Sequence, residues 1–173
     1  SKRVLDNLMN PLGTHDTVRI LNALSSDPVP ENKSERAVHK ISDRTLAKEK
    51  LKAAAALQYT LPGVPCLYYG DEAGLEGYED PFSRRFFPWN NQDESLTDYY
   101  RALGKLRALK ELNGGSVTVT AAENGGFSFV RGGALNVVSN MGKCAYELNK
   151  TVTDLITGER LSALLPLKTI AFY

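Results

Sequence analysis

The chain has 173 residues, 42% of them hydrophobic, 24% charged and 9% aromatic, and its charge sums to +1 at pH 7. That composition describes a globular domain or two and argues against a disordered tail, a collagen-like repeat and a membrane protein. Sixteen basic and sixteen acidic side chains fall in residues 1–111, and five and four in the rest, so no charge excess steers the chain to nucleic acid or anionic lipid.

Val4, Leu5, Leu8 and Met9 fall at helical spacing before Asn10-Pro11, and Val18, Ile20, Leu21 and Leu24 suggest a short second helix. Residues 25–43 are polar with two prolines and read as one long loop. The strongest helix covers about residues 45–60, with Ser42 or Asp43 as cap and an alanine-rich centre, and Leu61-Pro62-Gly63 stops it. Val64 to Tyr69, bounded by Gly63 and Gly70, reads as a strand buried on both faces, with Cys66 a buried free thiol. A helix over about residues 96–111 follows, its start resembling a capping box at Ser95-Leu96-Thr97-Asp98.

At Asn113-Gly114-Gly115 the rhythm changes. Five short β-branched or aromatic runs, at 117–119, 127–130, 135–138, 151–153 and 169–172, are punctuated by glycine turns and predict an antiparallel sandwich, with a boundary near residue 112. Cys66 and Cys144 make neither a disulfide framework nor a metal knuckle, and no cofactor is identifiable. The start, Ser1-Lys2-Arg3, reads as a cut through something longer, so the compartment is not legible.

Three features could carry chemistry. In Leu12-Gly13-Thr14-His15-Asp16-Thr17-Val18-Arg19 an imidazole adjoins a carboxylate, although these eight residues alone are better explained by Asp16 capping a helix that begins at Thr17 or Val18. Asp71-Glu72 follows the apolar run, where α/β folds place their sites; backbone amides, Arg84 or Arg85 are equally good partners. Seven of the fifteen aromatic residues lie between Tyr78 and Tyr100, with Asp80, Arg84 and Arg85 among them. Rings beside carboxylates and guanidinium groups suit a sugar, and a small satellite core explains most of the rings as well.

Together, Leu12–Thr17 with Arg19, Leu61–Leu75, Asp80–Arg85 and Pro88-Trp89 resemble ordered blocks of the α-amylase superfamily, glycoside hydrolase family 13, in its neopullulanase, cyclomaltodextrinase and maltogenic amylase branch. The resemblance extends through Asp154–Glu159. It implies the C-terminal part of a (β/α)8 barrel over residues 1–111 and a β-sandwich domain over 112–173. It implies a catalytic role for Asp16 as transition-state stabiliser, with His15, Asp80 and Arg84 binding substrate and Asp71-Glu72 structural. The implied parent is a retaining hydrolase acting on α-1,4, or also α-1,6, glucosidic bonds of starch-derived oligosaccharides. The nucleophile and general acid belong to blocks preceding Thr14-His15-Asp16, so this chain alone is expected to lack turnover, and to self-associate or require the missing N-terminal part. An α-glucan oligosaccharide is the expected partner; nucleic acid and membrane are not. The alternative is an amylase-like barrel without catalysis, serving as a partner or as a carbohydrate-binding protein.

Overall fold

A computed structural model describes residues 1–123 and 125–173. A single turn of helix, α1 (Lys2–Leu5), leads into β1 (Met9–Pro11). Three helices follow, α2 (Ile20–Leu24), α3 (Lys33–Val38) and α4 (Arg44–Thr60), before β2 (Val64–Cys66) returns parallel to β1, with Met9 opposite Val64 and Pro11 opposite Cys66. Gln58 on α4 fastens this pair by donating from Nε2 to the carbonyls of Asn10 (2.6 Å) and Cys66 (3.1 Å).

Three of the helices start where a side chain satisfies a free amide. Asp43 accepts from Leu46 N–H at 2.9 Å at the start of α4, worth about 1 kcal/mol. α5 (Glu94–Arg107) starts earlier than its sequence suggests, because Asp93 rather than Ser95 takes the cap. The Asp93 carboxylate also receives Ser95 Oγ and Lys48 Nζ, and these hydrogen bonds outweigh its burial and pull it down to about 2. The supposed loop 25–43 contains α3, capped by Asn32, whose side chain accepts from Glu35 N–H at 2.9 Å.

The second half is antiparallel. β3 (Val117–Glu123), β4 (Gly126–Arg131), β5 (Leu135–Asn140) and β8 (Lys168–Phe172) form one sheet in the order β3-β4-β5-β8, and β6 (Tyr146–Thr153) pairs with β7 (Arg160–Leu164). Val138, Ile170 and Phe172 of the sheet bury an apolar layer against Leu148, Val152 and Leu164 of the pair. The turn from β6 to β7 is built on Asp154. Its buried carboxylate accepts the amides of Ile156, Thr157 and Ala171 and the Thr157 hydroxyl.

One apolar cluster runs across both halves: Ala55 and Ala56 of α4, Tyr100, Leu103 and Leu106 of α5, then Phe129, Leu135, Val137 and Ala171 of the sheet. Against that core, the parallel pair is thinly covered. The strand at 64–69 is three residues long and not enclosed on both faces: Val64, Leu67 and Tyr69 are exposed and Cys66 is only half-buried. A two-stranded sheet has no further neighbours to cover such a run. Val4, Leu5, Leu8 and Met9 are exposed beside it. Among the described residues no helix is long and apolar enough to cross a membrane.

Phe129 is wholly buried at the centre of the shared cluster, whereas Phe86 lies outside it. Phe129→Ala is therefore expected to cost about 3–5 kcal/mol in urea unfolding, and Phe86→Ala less than about 0.5 kcal/mol. Equal losses would contradict this description of the core.

Candidate functional site

The loops leaving β1 and β2 at their C-terminal ends meet. The first, Leu12 to Arg19, is folded by its threonines: Thr14 N–H donates to Thr17 Oγ1 at 2.9 Å and Asp16 N–H to Thr14 Oγ1 at 3.3 Å. The helix after it begins only at Ile20, with Arg19 in the capping position and extended there (φ −53, ψ 137), so Asp16 caps nothing. Its carboxylate is left free to point outward.

Arg19 is the joint between the two loops. Its side chain is fully buried, the guanidinium lying 4.1 Å from the Tyr68 ring centroid and 4.6 Å from that of Tyr69. Nη1 donates to the Tyr69 carbonyl and to Asp71 Oδ1 at 3.2 Å, and the backbone N–H donates to Gly77 O at 2.9 Å. Nε and Nη2 have no hydrogen-bond acceptor among the described residues, and the faces of the two rings stand in for one. Glycine is required at Gly77, where a Cβ would run into the Phe82 carbonyl. Ser83 Oγ then donates to His15 O at 2.9 Å, closing the second loop onto the first.

The result brings together the four residues singled out above. Arg84 Nη2 lies 3.2 Å from Asp16 Oδ1, Arg84 Nε lies 2.6 Å from Asp80 Oδ1, and His15 Nε2 lies 3.2 Å from Asp16 Oδ2. All four are exposed, Asp16 by 70% of its side chain. A single guanidinium held between two carboxylates, with an imidazole alongside, offers donors and acceptors to a neutral polyhydroxylated ligand. Asp71 and Glu72 are not part of this surface. Asp71 is buried against Arg19 rather than paired with Arg84 or Arg85, and Glu72 accepts the Gly70 amide at 2.8 Å. Among the described residues no group of three or more His, Cys, Asp or Glu side chains is arranged to hold a metal ion.

The aromatic loop divides. Tyr78 and Tyr100 are buried, Phe82, Phe87 and Tyr99 half-buried, and Phe86 and Trp89 stand in solvent, 98% and 76% exposed. Burial therefore accounts for the first five, with Tyr99 and Tyr100 in the cluster shared with the sheet, and not for the last two.

The chain is similar, in sequence and in fold, to glycoside hydrolases of the α-amylase family. It is 42% identical over 99 residues to an amylopullulanase of Thermoanaerobacterium thermosulfurigenes, covering 57% of this chain and 5% of that one. It is 28% identical over 177 residues to a cyclomaltodextrinase of Geobacillus thermopakistaniensis, covering 94% of this chain and 27% of the relative. The fold matches the type III pullulan hydrolase from Thermococcus kodakarensis with a TM-score of 0.77 and 26% identity, over 98% of this chain and 29% of that one. The chain thus spans a small part of the length of each relative. No protein-family model matches it.

Burial raises the Asp71 carboxyl from 3.8 to about 6, and Arg19 only partly offsets this. Between those values the folded state holds a proton that the unfolded state has released, so this group's contribution falls as pH rises from about 4 to 6 and is level above. Asp93, held down to about 2, acts oppositely, stabilising above about 4 and losing that as pH falls. The stability of Asp71→Asn relative to wild type is expected to rise by up to about 3 kcal/mol between pH 4 and pH 7 in urea titrations. Parallel pH profiles would contradict it.

Proposed function

We propose that this chain carries the sugar-gripping side of the active site of a retaining glycoside hydrolase that acts on α-1,4, or also α-1,6, glucosidic bonds of starch-derived oligosaccharides. The observation that carries the reading is the exposed Asp80–Arg84–Asp16–His15 cluster, assembled from two loops 64 residues and more apart in sequence. In this reading Asp16 accepts hydrogen bonds from the 2- and 3-hydroxyls of the sugar at the scissile bond. Those bonds strengthen as the ring flattens towards an oxocarbenium ion, so they lower the barrier rather than merely hold the substrate. His15 holds a hydroxyl of the same sugar, and Asp80 and Arg84 hold the units on the non-reducing side.

Retention requires two further carboxyl groups about 5–5.5 Å apart that flank the bond. Asp71 is buried on Arg19, Glu72 is taken by a backbone amide and Asp80 by Arg84. In the family the chain resembles, the nucleophile and general acid belong to blocks that precede Thr14-His15-Asp16, so the reading assigns both to polypeptide outside these 173 residues. It assigns residues 1–111 to the last part of a (β/α)8 barrel and 112–173 to a β-sandwich domain. A complete barrel takes about 250 residues, and the lone parallel pair with Met9, Val64, Leu67 and Tyr69 exposed is consistent with a portion of one. Unpaired strand edges and bare apolar faces favour association, so the isolated chain self-associates over this face, which the rest of a longer protein would otherwise cover.

Purified chain is expected to bind maltotriose, and Asp16→Asn to weaken that binding about tenfold by calorimetry. Neither protein is expected to release reducing sugar from maltotriose or pullulan above a buffer blank. Turnover that Asp16→Asn abolishes would show that the cutting groups are present after all; absence of any maltotriose binding would overturn the assignment. Light scattering is expected to give a mass above 19.0 kDa, and a monomer at all concentrations would contradict the covered face.

A further inference from the structure

We infer that Phe86 and Trp89 form an aromatic platform that carries the glucan chain onward from Arg84, an inference that rests on the sugar-binding reading above and adds a binding surface to it. Burying an aromatic side chain removes some 150–250 Å² from water and is a major contribution to a fold. Phe86, 98% exposed, and Trp89, 76% exposed, make little of that contribution here. They begin two residues beyond Arg84, within about 7.6 Å of it along the Cα trace.

The segment that presents them is fixed at several points. Tyr69 Oη donates to the Arg85 carbonyl at 2.9 Å, and the Arg85 guanidinium donates to the Ala37 carbonyl. Trp89 N–H donates to Phe87 O at 2.9 Å and Asn91 N–H to Pro88 O at 3.0 Å, across a turn in which Asn90 takes the left-handed conformation (φ 62). Phe87, half-buried, supports the indole with ring centroids 4.6 Å apart. Two rings are thus held outward by backbone that is itself anchored to the site: Tyr69, which grips Arg85, also stacks on Arg19. A pyranose ring presents an apolar C–H face and polar edges. Rings that follow a guanidinium and carboxylates in the chain match that pattern, whereas a purely apolar occupant would leave the outward-facing donors and acceptors of the Asp80–Arg84–Asp16 cluster unused.

Trp89 is the only tryptophan of the chain, so its emission reports on the platform directly. The 173-residue protein is titrated with maltotriose and maltohexaose, recording both heat and tryptophan fluorescence, in wild type, Phe86→Ala and Arg84→Ala. Maltohexaose is expected to shift Trp89 emission to shorter wavelength and to bind more tightly than maltotriose. Phe86→Ala, with unchanged thermal unfolding, is expected to weaken maltohexaose about five- to tenfold and maltotriose less than about twofold. Maltohexaose binding that Arg84→Ala abolishes, but that leaves Trp89 emission and the Phe86→Ala affinity unchanged, overturns the platform and leaves the sugar-binding reading intact. Absence of heat with either oligosaccharide overturns both.

Discussion

The geometry of the candidate site depends on the burial of one guanidinium. Arg19 lies against the rings of both Tyr68 and Tyr69 and is paired with Asp71, which makes the loop after β1 and the loop after β2 a single piece of structure. A charged pair in the interior is costly to desolvate and strongly destabilising to break, so it fixes an arrangement better than it stabilises a fold. Here the arrangement it fixes is the approach of Asp16 to Arg84. Asp71 takes the cost of that arrangement, as its raised proton affinity records.

Around this joint the molecule is unevenly built. The helices and the four-stranded sheet share one buried apolar cluster, from Ala55 through Leu103 to Val137, with Phe129 wholly buried at its centre. The parallel pair that carries the site loops is held by the backbone exchange between β1 and β2, by the Asn10 side-chain amide on Pro62 O and by the two bonds from Gln58. The site is therefore anchored from behind, by α4 and the Arg19 joint, and not by the strands it springs from. That division explains how an exposed, polar surface keeps a defined shape next to a bare apolar face.

Much of this was legible in the residues. α4 and its Asp43 cap, the stop at Pro62-Gly63, the onset of strands after Gly115 and the grouping of His15, Asp16, Asp80 and Arg84 follow from local chemistry or from the ordered family blocks. Four things were not. α3 was hidden by Pro28 and Pro30, although Asn32 followed three residues later by Glu35 is a capping signal. β7 is five residues with weak alternation, and it becomes a strand by pairing with β6. The role of Asp16 as a cap looked better locally than it proved, because Thr14 and Thr17 close the loop themselves and Arg19 delays the helix. Arg19 as the hub could not be read at all from spacing, since its partners lie about fifty residues away.

In the proposed function, sugar recognition rests on the two site loops rather than on the β unit. The most direct test is a backbone amide NMR titration of the chain with maltotriose. The largest shifts are expected at residues 14–17 and 80–85, with residues 117–173 nearly unmoved. Shifts confined to the antiparallel strands, with Asp16 and Arg84 unaffected, would contradict it.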